Sequence, residues 1–324
     1  MADPAAPPPA AASSGPIGIG VVGIGKIAKD QHLPVITSSP DYRLFATTSK
    51  SGGYPGFPCY TDIGDMLAKE PDVRAVSLCT PPQGRYELAV AAIDAGRDVF
   101  LEKPPGATLS EVEALRVRAE ARGVVLFASW HSRCAPAVQP ARAWIAERTV
   151  RRVQIDWRED VRHWHPNQDW VFQPGGMGVF DPGINALSIA TRILPPFHLT
   201  SAELRVPANR QTPIQADLAF VLDGGAEVVM ALDWLQTGPQ TWDVRVETDR
   251  GVLTLHEGGQ RAEVQGSDGL GPLKRGPHVE YEGLYARFAE LVRRRISDVD
   301  VSPLRQLADA FTLGRRTIVD PFDW

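Results

Sequence analysis

The sequence predicts an α/β protein with an N-terminal parallel sheet and a C-terminal α+β domain built on a large, mostly antiparallel open sheet. Three observations indicate this fold class. The chain has 324 residues, which suits about two domains of roughly 150 residues each. Up to residue 130, apolar strands alternate with helical segments, as in βαβ units. Beyond residue 130, strand-like segments follow one another through short turns, which favours antiparallel pairing.

The N-terminal elements follow from apolar runs and their stop signals. Gly96 and Gly123 end two helical segments as C-caps, and prolines follow two of the strands. Strands are predicted over 17–22, 42–48, 75–79, 98–101 and 124–128, and helices over 62–69, 85–95 and 109–122.

The C-terminal elements follow from alternating apolar residues separated by Gly, Asp or Asn. Strands are predicted over 153–157, 201–206, 216–222, 227–233, 242–247, 251–256 and 262–265, and helices over 185–193, 282–294 and 303–315. The predicted organisation is a tail over 1–16, a first domain over 17–130 and a second over 131–324, with the last two helices, over 282–294 and 303–315, packing back on the first domain.

Composition excludes several classes of function. The 34 Lys and Arg residues against 39 Asp and Glu residues give a net charge of −5, which argues against nucleic-acid binding. No apolar run approaches the roughly 18 residues of a membrane span. Three widely spaced cysteines argue against a disulfide framework and favour a cytoplasmic location. The Pro- and Ala-rich tail lacks a signal-peptide pattern and is expected to be disordered.

A glycine motif follows the first predicted strand and precedes a helix. It reads Gly23-Ile-Gly25-Lys26-Ile27-Ala28, which is G-x-G-x-x-A in the strand–turn–helix context of a Rossmann domain. Gly23 permits the tight turn, Gly25 lets a pyrophosphate approach, and the helix start favours negative charge. We expect Gly23, Gly25, Lys26 and Ile27 to contact a dinucleotide.

The end of the second strand indicates which dinucleotide is bound. NAD sites often carry an acid here, but this strand ends in Thr-Thr-Ser49-Lys50-Ser. Because a hydroxyl and an ammonium group would hold a 2′-phosphate, we expect NADP as the cofactor, and a site without the acid can also accept NAD. A solvated turn is the alternative interpretation. Thr80 and Pro81, after the third strand, are expected to line the nicotinamide side.

The turn Glu102-Lys103-Pro104 ends the next parallel strand and is aimed at the cofactor's reactive end. Together with the glycine motif, the Cys-Thr-Pro-Pro turn and the segment FDPGIN, it makes the chain from residue 17 onward resemble the Gfo/Idh/MocA oxidoreductases, in particular their aldose 1-dehydrogenase branch. The resemblance implies NAD(P)-dependent oxidation of an aldose of the L-arabinose, D-galactose or D-fucose type at C1 to an aldonolactone. It also implies that Lys103 lies near substrate and cofactor, with Glu102 at the cofactor site.

The family usually has an Asp followed four residues later by a His, and this chain has Asp181 and Asn185. Asn cannot transfer a proton, so a His base is in doubt here. Asp181 is the favoured proton acceptor with Lys103 polarising the C1 hydroxyl, and the reverse assignment stays open. Asp181 could alternatively cap the helix. Asn185, one helical turn on, would face the same way and bind sugar hydroxyls.

Further substrate contacts are predicted around the segment REDVRHWHPNQDW. The candidates are His165 and His131 and, more weakly, Glu159 and Trp234, with His163 disfavoured. No metal is expected, because two further ligands for the His-x-His pair are not evident.

The expected partner is a monosaccharide. Self-association as a dimer or tetramer is expected through the C-terminal sheet, whose second face a monomer would leave uncovered. The alternative functions are a dehydrogenase of another sugar or cyclitol, and a non-catalytic regulator that binds NADP or a sugar.

Overall fold

The computed structural model describes residues 15–266 and 269–324, so all but the last two residues of the predicted tail lie outside the described residues. The chain divides into two compact units, which are described separately. The first holds the residues through Trp130 together with Tyr281–Val301, and the second holds His131–Glu280 and Ser302–Trp324. The predicted second domain over 131–324 is therefore interrupted.

The first unit contains a six-stranded sheet in the order β3-β2-β1-β4-β5-β6, and all of its strand pairs are parallel. The strands are β1 (Ile17–Val22), β2 (Tyr42–Thr48), β3 (Cys59–Tyr60), β4 (Ala75–Leu78), β5 (Asp98–Leu101) and β6 (Leu126–Ala128). The prediction of a parallel Rossmann-type sheet is confirmed. Every residue of β1, β4 and β5 is buried, as expected for parallel strands covered on both faces.

Two of the helices beside this sheet begin at side-chain caps. They are a π-helical segment (Ala28–His32) that continues as α1 (Leu33–Ser38), then α2 (Ile63–Lys69), α3 (Arg85–Asp94) and α4 (Leu109–Arg122). The side chains of Asp62 and Thr108 accept the N-terminal amides of α2 and α4, and Gly123 ends α4 with a φ of 63°.

The second unit contains an eight-stranded sheet in the order β13-β12-β11-β7-β10-β9-β8-β14. The strands are β7 (Val150–Arg158), β8 (Phe197–Pro207), β9 (Gln215–Leu222), β10 (Glu227–Asp233), β11 (Thr241–Thr248), β12 (Gly251–His256), β13 (Arg261–Gln265) and β14 (Arg315–Val319). The β7–β10 and β8–β14 pairs are parallel and the other pairs antiparallel, which confirms a mostly antiparallel sheet. Self-association through it stays a prediction.

The remaining helices are α5 (Val138–Ala146), α6 (Val161–Trp164), α7 (Phe180–Ile193), α8 (Val279–Arg294) and α9 (Ser302–Leu313). From Tyr281 onward α8 belongs to the first unit, because Tyr285 stacks on Phe100 and Phe288 stacks on Phe127, at ring centroid distances of 5.0 and 6.0 Å. The C-terminal helix α9 instead belongs to the second unit and packs on α7 and β8, which corrects the prediction for it. Helix α9 also ends at Leu313, since the next residues pair with β8 as β14.

Within residues 15–266 and 269–324, no helix combines the length and apolar character needed to cross a membrane.

Candidate active site

The glycine turn after β1 has the backbone geometry that a dinucleotide requires. Gly23 has a φ of +90°, and a Cβ atom there would lie 2.8 Å from Thr80 Cγ2 and 2.9 Å from the Thr80 amide nitrogen. A Cβ atom on Gly25 would have no heavy atom within 4 Å, so its backbone is open to a ligand. Lys26 and Ile27 follow and are exposed. The turn therefore fits a pyrophosphate bound by the amides at a helix start.

Thr80 gives a second indication of a ligand. Its hydroxyl oxygen is buried and lacks a hydrogen-bond partner among the residues that the structure describes. Such a group costs about 1–3 kcal/mol until it is satisfied, and a polar ligand atom would satisfy it. Thr80 and the exposed Pro81 follow β4 at the edge where the carboxyl ends of the parallel strands meet.

The turn after β2 presents Ser49 and Lys50. The Ser49 hydroxyl accepts the Ser51 amide at 3.2 Å, and its own amide donates to the Tyr60 carbonyl oxygen at 2.8 Å. Lys50 is exposed. The backbone of this turn is thus fixed against β3, while an ammonium group and a hydroxyl are available beside it.

Arg85 holds two of these turns together, and the sequence analysis missed it. Its buried guanidinium donates to the carbonyl oxygens of Thr80, Glu102 and Pro104. The turn after β4 and the turn after β5 therefore share one cation. The sequence shows only that an arginine lies in the first turn of the helix after the Cys-Thr-Pro-Pro turn. It does not show which carbonyl oxygens the guanidinium of that arginine contacts.

Lys103 lies on the turn after β5 and is half-buried. Its amide donates to the carboxylate of Glu102, and the peptide bond to Pro104 is cis. The Glu102 side chain itself is only 3% exposed. Its carboxylate contacts His32 and Tyr281, so contact between this group and a cofactor stays a prediction.

In the second unit, the side chains of Asp181 and His165 lie in close contact. His165 Nε2 lies 3.1 Å from Asp181 Oδ2. Helix α7 begins at Phe180 with Val179 as its N-cap residue, so Asp181 belongs to the first turn and the capping alternative is wrong. Asn185 is half-buried one turn later, on the same helical face. The histidine that the family places four residues after the Asp is absent, and His165 supplies an imidazole from a different segment.

The hydrogen bonds around Gln168 fix the orientation of the His165 ring. Gln168 Oε1 lies 3.0 Å from the indole nitrogen of Trp170, which can only donate, and 3.3 Å from His165 Nδ1. His165 Nδ1 is thereby assigned as a donor to the same oxygen. The other ring nitrogen, Nε2, is the one that faces the Asp181 carboxylate.

Glu159 is a buried carboxylate near this pair. It follows β7 and accepts the indole N–H groups of Trp234 at 3.1 Å and Trp242 at 2.8 Å. Burial is the main cause that raises the pKa of Glu159, and the charge of Asp181 also raises it, whereas the two indole hydrogen bonds lower it. The resulting pKa is about 7. Glu159 can thus exchange a proton near neutral pH. Trp242 was missed by the sequence analysis, because it lies on β11, far along the chain.

Trp234 is fully buried and its ring lies 5.5 Å from the His165 ring, centroid to centroid. It holds Glu159 in place, and direct contact with a substrate stays a prediction for it. His131 belongs to a different group, where its Nδ1 lies 2.6 Å from Glu280 Oε2. His163 is exposed and packs on Trp164.

Among the residues that the structure describes, no group of three or more His, Cys, Asp or Glu side chains could hold a metal ion.

Comparison with known proteins agrees with this geometry. A family model described as an oxidoreductase family with an NAD-binding Rossmann fold matches residues 17–129. Galactose 1-dehydrogenase from Pseudomonas fluorescens is 42% identical over 311 residues, which cover 95% of this chain and 99% of the relative. These matches define the class of protein, which is an oxidoreductase with an NAD-binding Rossmann domain. The chain belongs to the Gfo/Idh/MocA family, which confirms the resemblance.

Solved structures give the same assignment. The D-galactose-1-dehydrogenase of Rhizobium etli superimposes with a TM-score of 0.90 at 52% identity, covering 96% of this chain and 99% of that one. KijD10, a 3-ketoreductase from Actinomadura kijaniata in complex with NADP and TDP-benzene, superimposes with a TM-score of 0.79 at 19% identity, over 94% of this chain and 99% of that one. The second likeness shows the fold alone.

Proposed function

We propose that this protein is an NAD(P)-dependent aldose 1-dehydrogenase that oxidises a D-galactose-type sugar at C1 to the aldonolactone. The observation that carries the proposal is the close contact of His165 with Asp181, at 3.1 Å, beside the buried carboxylate of Glu159. The two relatives named as galactose dehydrogenases, at 42% and 52% identity over nearly the whole chain, support the choice of sugar.

The residues have distinct roles in this reaction. Lys103 donates a hydrogen bond to the C1 hydroxyl oxygen and stabilises the negative charge that develops there. Asp181 accepts the hydroxyl proton, while His165 holds the carboxylate in position and shares its proton. A bound nicotinamide dinucleotide would accept the hydride from C1. The C1–H and O–H bonds break, a C1=O bond forms, and the proton leaves through the pair.

Glu159 supports the proton transfer electrostatically. With a pKa of about 7, its carboxylate is partly ionised at neutral pH. Its negative charge then favours the arrival of a proton on the neighbouring pair. Asn185 and His131 are proposed to bind other hydroxyls of the sugar, and Ser49 with Lys50 to favour NADP over NAD.

Absorbance at 340 nm tests the proposal. The protein is mixed with NADP or NAD and a panel of D-galactose, D-fucose, L-arabinose, D-glucose and inositol. We expect reduction of the dinucleotide with the first three sugars and faster turnover with NADP. Turnover with inositol alone would favour a cyclitol dehydrogenase, and dinucleotide binding without turnover on any sugar would favour a regulator.

A further inference from the structure

A fully buried polar cluster adjoins the turn that carries Lys103. We call it the His32 cluster, and it consists of His32, Ser77, Glu102, Tyr281 and Tyr285. All five side chains belong to the first unit. Burying an ionisable group is costly unless each of its polar atoms is satisfied, so such a cluster requires a reason to exist.

Glu102 connects this cluster to the backbone of Lys103. Its Oε1 atom accepts the hydroxyl of Tyr281 at 2.5 Å and lies 3.3 Å from His32 Nε2. Its Oε2 atom accepts the amide N–H of Lys103. One oxygen of the carboxylate is therefore held by side chains, and the other holds the turn.

His32 is fixed on both sides of its ring. Its Nε2 atom faces a carboxylate oxygen, which only accepts, so Nε2 carries a proton. Its Nδ1 atom lies 2.7 Å from the Tyr285 hydroxyl, which is 3.0 Å from Ser77 Oγ. Burial by itself lowers the pKa of His32, but Cys79 and Glu102 outweigh it and raise that pKa to about 9. A protonated imidazole then neutralises the buried Glu102.

Aromatic packing keeps these groups in one arrangement. The His32 ring meets the Tyr281 ring edge to face at 4.8 Å, and Tyr285 stacks on Phe100 at 5.0 Å. Close packing of this kind restricts the side chains to few rotamers. The geometry of Glu102 is therefore set by residues that are far away along the chain.

We propose that His32 and Tyr281 are positioning residues for Lys103. They fix the Glu102 carboxylate, the carboxylate fixes the Lys103 amide, and the amide sets the direction in which the lysine side chain leaves the turn. The inference rests on the proposed function, in which Lys103 stabilises charge at the C1 oxygen. Since misplacing such a group weakens transition-state binding, the loss should fall on kcat.

The conservative test is Tyr281→Phe, which removes one hydroxyl and leaves the ring. Its matched control is Tyr42→Phe, because the Tyr42 hydroxyl is also buried beside Tyr285 but donates to the backbone carbonyl oxygen of that residue. Two readouts are compared: kcat and KM for D-galactose, and hydrogen exchange of the Lys103 amide in the full-length protein with and without NADP.

For Y281F we expect Lys103 amide exchange about tenfold faster than in the wild type. We expect kcat to fall about tenfold, with KM and NADP affinity within about twofold. Y42F should match the wild type in both readouts. H32L should behave as Y281F or worse, and H32Q, which keeps a donor toward Glu102, should recover part of the loss.

Exchange of the Lys103 amide in Y281F no faster than in Y42F would overturn the inference, whether or not any sugar is oxidised. Faster exchange with unchanged kcat in an active enzyme would also overturn it, as would a loss of NADP affinity equal to the loss of kcat. Failure of the proposed function has a different signature: K103A would retain turnover, or the wild type would oxidise no aldose.

Discussion

The two units each bury one glutamate among aromatic donors, but they use it differently. Glu102 is 3% exposed and is held by Tyr281 and a histidine that is itself fully buried. Glu159 is 4% exposed and is held by two indoles, whereas its neighbouring histidine, His165, keeps 20% of its side chain exposed. The first glutamate is part of a closed scaffold. The second lies beside a histidine–aspartate pair that solvent or a ligand can reach.

The difference teaches that burial of a carboxylate does not by itself identify an acid–base group. Both glutamates are equally inaccessible, and their partners decide the role. A carboxylate bonded to the backbone of a functional turn positions that turn. A carboxylate whose pKa lies near 7 beside a histidine–aspartate pair can take part in proton transfer.

The largest loss of activity is expected when the proposed functional side chain of either unit is removed. Lys103→Ala in the first unit and Asp181→Asn in the second should each lower kcat about 10³-fold or more, because one removes a charge-stabilising donor and the other the proton acceptor. Melting temperature should stay near the wild-type value. Steady-state kinetics at 340 nm measures the loss, and residual activity within tenfold of the wild type would contradict the assigned role.

A smaller effect is expected for His165→Gln. The amide keeps a donor toward Asp181 but cannot share a proton, so kcat should fall about 100-fold. His163→Gln is the matched control, because His163 lies two residues away, is exposed and has its ring beside that of Trp164. Equal kinetics for the two variants would mean that the His165–Asp181 contact is structural.

Ser49→Asp tests whether the turn after β2 binds the 2′-phosphate of NADP. An added carboxylate would repel a 2′-phosphate and accept ribose hydroxyls, so the ratio of kcat/KM for NADP over NAD should fall about tenfold or more. Ser110→Asp, an exposed change on α4, serves as the control for added charge. A ratio that is the same in both variants would remove Ser49 from the phosphate site.

The smallest effect concerns the pH dependence of stability. The pKa of Glu159 is raised from 4.5 to about 7 on folding, so its contribution to stability is complete below about pH 4.5 and is lost as pH rises through 7. Melting temperatures between pH 5 and 8 should fall less in Glu159→Gln than in the exposed control Glu263→Gln. Parallel curves would contradict the raised pKa.

Much of the fold could be predicted because its signals are local. The strand over 17–22, the glycine turn and the cap at Gly123 each depend on residues within one element. The prediction that α8 packs back on the first domain is confirmed, since its aromatic rings stack on Phe100 and Phe127. The same prediction was wrong for α9, because its packing on α7 and β8 depends on residues far away along the chain. Strand β14 was missed for a similar reason: a basic segment at a sheet edge has no alternating pattern, and pairing with β8 defines it.

The site was predictable where residue type alone limits chemistry. Lys103 and Asp181 stand out by motif, and His165 by its residue type within a short polar segment. Arg85, Gln168 and Trp242 were not predictable, because each acts through a hydrogen bond whose direction only the folded chain defines. The pairing of His165 with Asp181 is the clearest example, since the family pattern had placed a histidine four residues after the aspartate.

The central claim is oxidation at C1 of an aldose, and isotope transfer tests it most directly. The protein is incubated with NADP and D-galactose carrying deuterium at C1, and the reduced dinucleotide is analysed by mass spectrometry. The account predicts that the reduced dinucleotide gains one deuterium and that galactonolactone appears in equal amount. Reduction without deuterium, or no reduction with any aldose while the dinucleotide still binds, would contradict it.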